Sequence, residues 1–306
     1  MPSPRSAYLP ALSAVALWST VAVAFKLALR DLEPLELVAY SSLVSWLSLG
    51  GVLVIRRMGG RRVRASGREI AKAALLGLLN PLAYYWILFS AYNLLPAQVA
   101  QPLNYTWPLF LALLAAPMHG KKPSMREISG LLVSLIGVAL ITWRRGSGNA
   151  ALSGAGIALA LGSGIVWAFS WLAGTRLKMD GTLRLFVGFG TASLILVPLW
   201  MFGGGALPRD AVGWSASTWV GLFEMGITFL LWNLAMERAE KPAMIGNLVY
   251  LGPFVSLIWI ALILGEHIRV VTIAGLLIIV AGIFLGRSRS SVETTYTPSA
   301  STPRGE

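Results

Sequence analysis

Apolar residues run along this chain in blocks of about twenty, separated by short polar stretches. A helix crossing a bilayer needs about 20 such residues in succession. The blocks predict spans at 8–29, 34–55, 70–92, 96–118, 125–143, 152–173, 183–202, 213–236, 242–264 and 270–286. Several connections are only a few residues long, so consecutive spans must be antiparallel neighbours. The pattern predicts an all-α membrane protein of ten transmembrane helices, with too little left over for a second folded domain. The first block is longer than the apolar core of a secretion signal, about 7–15 residues, and is read as a span. After Gly286 the chain turns to Ser, Thr and Pro, which predicts a disordered cytoplasmic tail over 287–306.

Composition narrows the class. Of 306 residues, 56% are hydrophobic and 12% charged, against about 25% charged in soluble domains. The net charge of +12 would suggest nucleic acid in a soluble protein, but its distribution has another cause. With the N-terminus placed in the cytoplasm, Lys26, Arg30, Arg144, Arg145, Arg209 and Arg269 fall outside and the other 19 of the 25 basic residues inside. Such a bias predicts cytoplasmic N- and C-termini and an even number of spans. The pair Arg144–Arg145 runs against it locally. No cysteine is present, so disulfides and thiolate metal sites are excluded. His119 and His267 both fall at predicted span ends, with too few ligands near either for a metal. No cofactor and no nucleic-acid partner are expected.

The two halves resemble each other. At an offset of 145, Tyr105-Thr-Trp-Pro108 falls on Tyr250-Leu-Gly-Pro253, Gly120 on Gly265, Gly130-Leu-Leu on Gly275-Leu-Leu and Gly137 on Gly282. At 146, Trp86 meets Trp232 and Pro96 meets Pro242, and at 149 Trp18 meets Trp167. Repeats of five spans, an odd number, must enter the membrane from opposite sides. The expected organisation is therefore two inverted five-helix repeats, 1–146 and 147–286, with a substrate site between them near the midplane.

Polar residues inside the spans point to that site. Gln98, Gln101 and Tyr105 recur at i, i+3 and i+7, and Asn80 and Tyr84 at i and i+4, so each set shares a helical face. A polar side chain left unsatisfied in hydrocarbon costs several kcal/mol. These faces must look at other helices or at a wet cavity. Pro102 and Pro108 free carbonyls inside the span, which is tolerated beside a cavity. Glu224 sits about eleven residues into the eighth span, roughly 16 Å deep at 1.5 Å per residue, where a charge costs on the order of 3 kcal/mol. It is either a cavity carboxylate for an amine or a proton, or a hydrogen-bonded tie between helices. Of the 12 tryptophans, Trp46, Trp143 and Trp214 suit the interfacial belt, while Trp18 and Trp167 lie mid-span. Of Trp167, Phe169 and Trp171, not all can face inward. The stripes Gly156/Ala160/Gly164 and Gly282/Gly286, with the matched pairs Gly130/Gly137 and Gly275/Gly282, predict close helix contact within the chain or between two copies. The candidate binding set is Trp18, Asn80, Tyr84, Gln101, Tyr105, Trp167, Glu224 and Tyr250; no catalytic residue is proposed.

Ten spans in two five-helix halves, Ala83-Tyr-Tyr-Trp86 against Phe229-Leu-Leu-Trp232, Pro108/Pro253 and the Gly-Leu-Leu of each final helix resemble the drug/metabolite transporter superfamily, EamA type. Leu222-Phe-Glu224-Met-Gly-Ile-Thr-Phe-Leu-Leu-Trp232 and Gln101-Pro-Leu-Asn-Tyr-Thr-Trp-Pro108 look like its bacterial aromatic amino acid exporter branch. The resemblance implies export of aromatic and other neutral amino acids across the bacterial cytoplasmic (inner) membrane, by a monomer or homodimer. Efflux of lipophilic cations or of another small metabolite is the alternative, since Trp and Tyr suit an aromatic ring or a cation. An intramembrane enzyme would need a nucleophile and base at one depth, which the histidine positions do not offer. No phosphate-cradling G-x-x-x-x-G-K-[ST] loop is present, so direct ATP drive is not indicated.

Overall fold

The computed structural model describes residues 5–60, 63–118, 122–143 and 152–286, all helix, turn or loop, with no strand among them. The expected disordered tail, His119 and the Arg144–Arg145 pair lie outside the described residues. Eight helices are long and apolar enough to cross a membrane. They are α1 (Arg5–Ala28), α2 (Pro34–Met58), α3 (Gly67–Leu94), α6 (Met125–Thr142), α7 (Gly154–Thr175), α8 (Gly181–Phe202), α9 (Ala211–Arg238) and α10 (Met244–Leu264). The predicted span 96–118 is broken into α4 (Ala97–Asn104) and α5 (Trp107–Met118) by a turn at Tyr105–Thr106. The final predicted span is the 17-residue α11 (Val270–Gly286).

Polar residues at the span ends start and stop these helices. Ser124 accepts from Glu127 N while Glu127 answers at Ser124 N, a reciprocal cap for α6. Asp180 accepts from Thr182 N and Leu183 N at the start of α8, and Asp210 from Gly213 N at the start of α9. Gly265, at φ 68°, ends α10 in the left-handed region open to glycine.

The interiors of four spans are distorted, in matching places. In α3 the helix is kinked within Leu78–Ala83, where Asn80 is extended at φ −143° and ψ 111° and Pro81 has no N–H to give. In α9 a wide turn covers Val220–Glu224, with Met225 N bonded back to Val220 O. The break between α4 and α5 at Tyr105 has its counterpart in the tightened turn Leu248–Leu251 of α10. Irregular backbone at membrane depth persists where it is buried in protein or lines a cavity.

The helices pack in reciprocal pairs. α6 runs along α11, and α2 along α8. α1 lies against α9 and α10, while α7 lies against α3, α4 and α5. α1 is the most enclosed, with 56% of its apolar window buried, against 33–44% for the other seven. The glycine pairs serve the α6–α11 contact within one chain. A Cβ at Gly130 would stand 2.5 Å from the Gly282 carbonyl oxygen, and one at Gly137 2.5 Å from that of Gly275. The Gly156/Ala160/Gly164 stripe likewise seats Leu95 and Phe110 inside the bundle. Trp46, expected in the interfacial belt, is instead packed between α2 and α8, where Gly190 makes room for its indole and Phe186 meets it at 5.9 Å. Trp143 and Trp214 are exposed.

Candidate functional site

A cavity of about 850 Å³, counted out to its mouth, lies between the halves. Two aromatic walls face it. From α1 and α9, Trp18 meets Phe229 edge-on at 5.4 Å and Trp232 at 5.4 Å. From α5 and α7, Trp107 meets Trp167 at 4.1 Å, and Trp167 stacks on Trp171 at 5.1 Å with 14° between planes. Trp167 and Trp171 are one helical turn apart and both face in, whereas Phe169 is exposed.

Polar groups occupy the rest of the wall. Glu224 is 9% exposed and its carboxylate accepts from the Tyr85 hydroxyl at 3.2 Å, across the gap between α9 and α3. Among the described residues it is the one Asp, Glu, Lys, Arg or His in the cavity lining. Gln101 Oε1 accepts from Ser256 Oγ at 2.5 Å, joining α4 to α10. Asn104 Nδ2 donates to Ser163 Oγ at 2.9 Å, joining α4 to α7. Tyr84 and Tyr105 complete this side. Glu224, at the end of the wide turn, and Tyr105, at the break, both line this wall.

Of the eight residues singled out in the sequence, Trp18, Tyr84, Gln101, Tyr105, Trp167 and Glu224 line this cavity. Asn80 lines a neighbouring cavity, where its amide reaches Ser170 Oγ at 3.4 Å. Tyr250 is buried against Phe284, at 5.5 Å. Gln98, placed on the same face as Gln101 by spacing, is tied up elsewhere. Its side chain donates to His267 O and accepts from Arg269 N and Thr272 Oγ1. The lining residues that spacing alone did not single out are chiefly Asn104, Trp107, Trp171, Phe229 and Trp232. Trp171 had a signal, its i+4 spacing from Trp167.

The chemistry on offer is recognition. The walls suit a planar apolar body, and Glu224 suits one cationic group or a proton. Among the described residues no cluster of His, Asp and Glu could hold a metal ion.

The model of EamA-like transporters matches residues 5–143 and again 154–286, so this is a membrane transporter made of two copies of one module. The chain belongs to the EamA-like transporter family. It is 27% identical over 259 residues to the aromatic amino acid exporter YddG of Ancylobacter novellus, a match covering 83% of this chain and 87% of that one. It is 28% identical over 244 residues to a probable terminal-alkyne amino-acid exporter of Streptantibioticus cattleyicolor, covering 76% and 77%. It is 23% identical over 297 residues to the uncharacterized transporter YvbV of Bacillus subtilis, covering 96% and 95%. One solved structure shares the fold with a TM-score of 0.63 at 23% identity, covering 92% of this chain and 96% of the other.

Proposed function

We propose that this transporter exports aromatic and other neutral amino acids from the cytoplasm, without ATP, by alternating access through the central cavity. The observation that carries the reading is the pair of aromatic walls around a single carboxylate. A ring stacks on Trp faces, and an ammonium group pairs with Glu224. Gln101, Asn104, Tyr84 and Tyr105 supply neutral hydrogen-bonding groups around them. Two relatives named as amino-acid exporters point the same way.

Ten spans as two inverted repeats fit this activity. In that arrangement α4 and α5 together form one span and α11 the last. Exchanging the halves turns the α1–α9 contact into the α7–α3 contact, and the α1–α10 contact into that of α7 with α4 and α5. The pairs α2–α8 and α6–α11 map onto themselves. The distortions at Leu78–Ala83 and Val220–Glu224 exchange as well. A bacterial inner-membrane location with both termini cytoplasmic agrees with the distribution of basic residues.

The same cage also favours a second reading, efflux of a lipophilic cation, because its tryptophans and a carboxylate attract a delocalised positive charge. Counterflow into proteoliposomes separates the two. The protein should exchange labelled L-phenylalanine, L-tryptophan and L-leucine, and leave a dicationic dye outside. Exchange of the dye alone would replace the amino-acid reading with the second one.

A further inference from the structure

Beside the central cavity lies a second one, of about 600 Å³ counted to its mouth, sharing Trp167, Trp171 and Phe229 with the first. It sits toward the connection between α7 and α8, where Gly174 and Arg184 form part of its wall. The Arg184 guanidinium lies over Gly174, with Nη1 donating to Gly174 O at 2.6 Å. A guanidinium carries five N–H donors, and this carbonyl takes one of them. Among the described residues no carboxylate lies within 4.0 Å of Arg184. Asp180, one turn away, accepts from Thr182 N and Leu183 N, faces Arg56 at 3.6 Å, and acts on Arg184 only through its charge at longer range. The Trp171 indole N–H is buried with no acceptor, which is costly unless something fills that role. Asn80 and Ser170 add an amide and a hydroxyl.

The two cavities are thus complementary in charge. The central one holds a carboxylate and no cation, and the second holds a cation and no carboxylate, among the described residues of their linings. A zwitterion carries one group for each. We propose that the second cavity is a carboxylate-receiving site, in which Arg184 and the Trp171 indole N–H take the carboxylate of an amino acid passing between the α7–α8 end of the bundle and the central cavity. The planar guanidinium fork matches a carboxylate with two parallel hydrogen bonds. Glycine at 174 keeps the space beside it open, since a Cβ there would approach Nη1 to 3.1 Å. This assignment rests on the amino-acid reading of the central cavity.

Equilibrium binding to the purified protein tests it, with labelled L-phenylalanine and with phenethylamine, which keeps the ring and ammonium and lacks the carboxylate. Arg184→Gln should raise the Kd for phenylalanine at least tenfold and leave that for phenethylamine within twofold. Arg184→Lys, which keeps the charge and loses the fork, should fall between. Trp171→Phe removes the N–H but also trims a ring of the central wall, so it should weaken both ligands, phenylalanine the more. Elution as a single sharp peak reports that each variant is folded. Unchanged phenylalanine binding in Arg184→Gln, or equal loss for both ligands, would overturn the carboxylate site alone. Wild-type protein that binds neither ligand would bring down the amino-acid reading itself.

Discussion

Two regions join the halves of this transporter, and they are made of opposite materials. Along α6 and α11 glycines bring backbone against backbone, with Ser134 Oγ donating to Ile279 O at 3.0 Å. Around the central cavity the contacts are rings and scattered polar groups, on helices interrupted by wide turns and breaks. The glycine contact has no room for an added methyl group, so one helix cannot shift on the other without collision. The cavity helices carry irregular backbone, as the proposed alternating access would need of a moving wall. On the function proposed above, rigidity belongs to one region and selectivity, with movement, to the other.

The largest effect should come from the rigid contact. Gly137→Leu drives a side chain against the Gly275 carbonyl and should cost about 3 kcal/mol or more, abolishing the single sharp elution peak in detergent. Gly51→Leu, where an added Cβ meets nothing within 4 Å, should elute as wild type. Equal behaviour of the two variants would dissolve the distinction between the regions.

A smaller and different effect is expected at Glu224. Glu224→Gln keeps size and much of the hydrogen bonding while removing the charge. It should fold normally, yet lose about tenfold in phenylalanine counterflow or lose its dependence on pH. Wild-type rates with an unchanged pH response would reduce Glu224 to a tie between α9 and α3.

The smallest effect sharpens the comparison within the repeat. Trp86 and Trp232 correspond at an offset of 146, but Trp86 is 49% exposed and Trp232 6%. Trp232→Ala should weaken transport about fivefold, the order expected when one ring contact worth about 1 kcal/mol is lost. Trp86→Ala should stay within twofold. A matching loss in Trp86→Ala would place it on the transport path too.

Hydropathy made eight of the ten predicted spans legible as helices able to cross, because each must be apolar for about 20 residues whatever it packs against. Glu224 was legible because a carboxylate at that depth needs a reason, and Trp18 and Trp167 because they lie mid-span, away from the interfacial belt. Gln98 misled because helical spacing is blind to partners far along the chain. Its acceptors and donors lie in 267–272, and the helix that carries it stops at Asn104. Trp232 was hidden for a related reason. The helix that carries it is broken at Met225–Gly226, with Gly226 at φ −120° and ψ −96°, so spacing counted on from Glu224 does not carry across. Trp46 left the interfacial belt because Gly190, far away in sequence, makes a slot for it.

The central claim is that substrate occupies the cavity between the halves. The chain has no cysteine, so a single one placed at Val249, in the cavity wall, can be followed without background. Its rate of modification by a small methanethiosulfonate reagent, measured with and without L-phenylalanine, should fall several-fold in the presence of the amino acid. A cysteine at Ser134, in the glycine contact, should react slowly and show no such protection. Rapid modification of Val249→Cys that phenylalanine, tryptophan and leucine all leave unchanged would contradict the account.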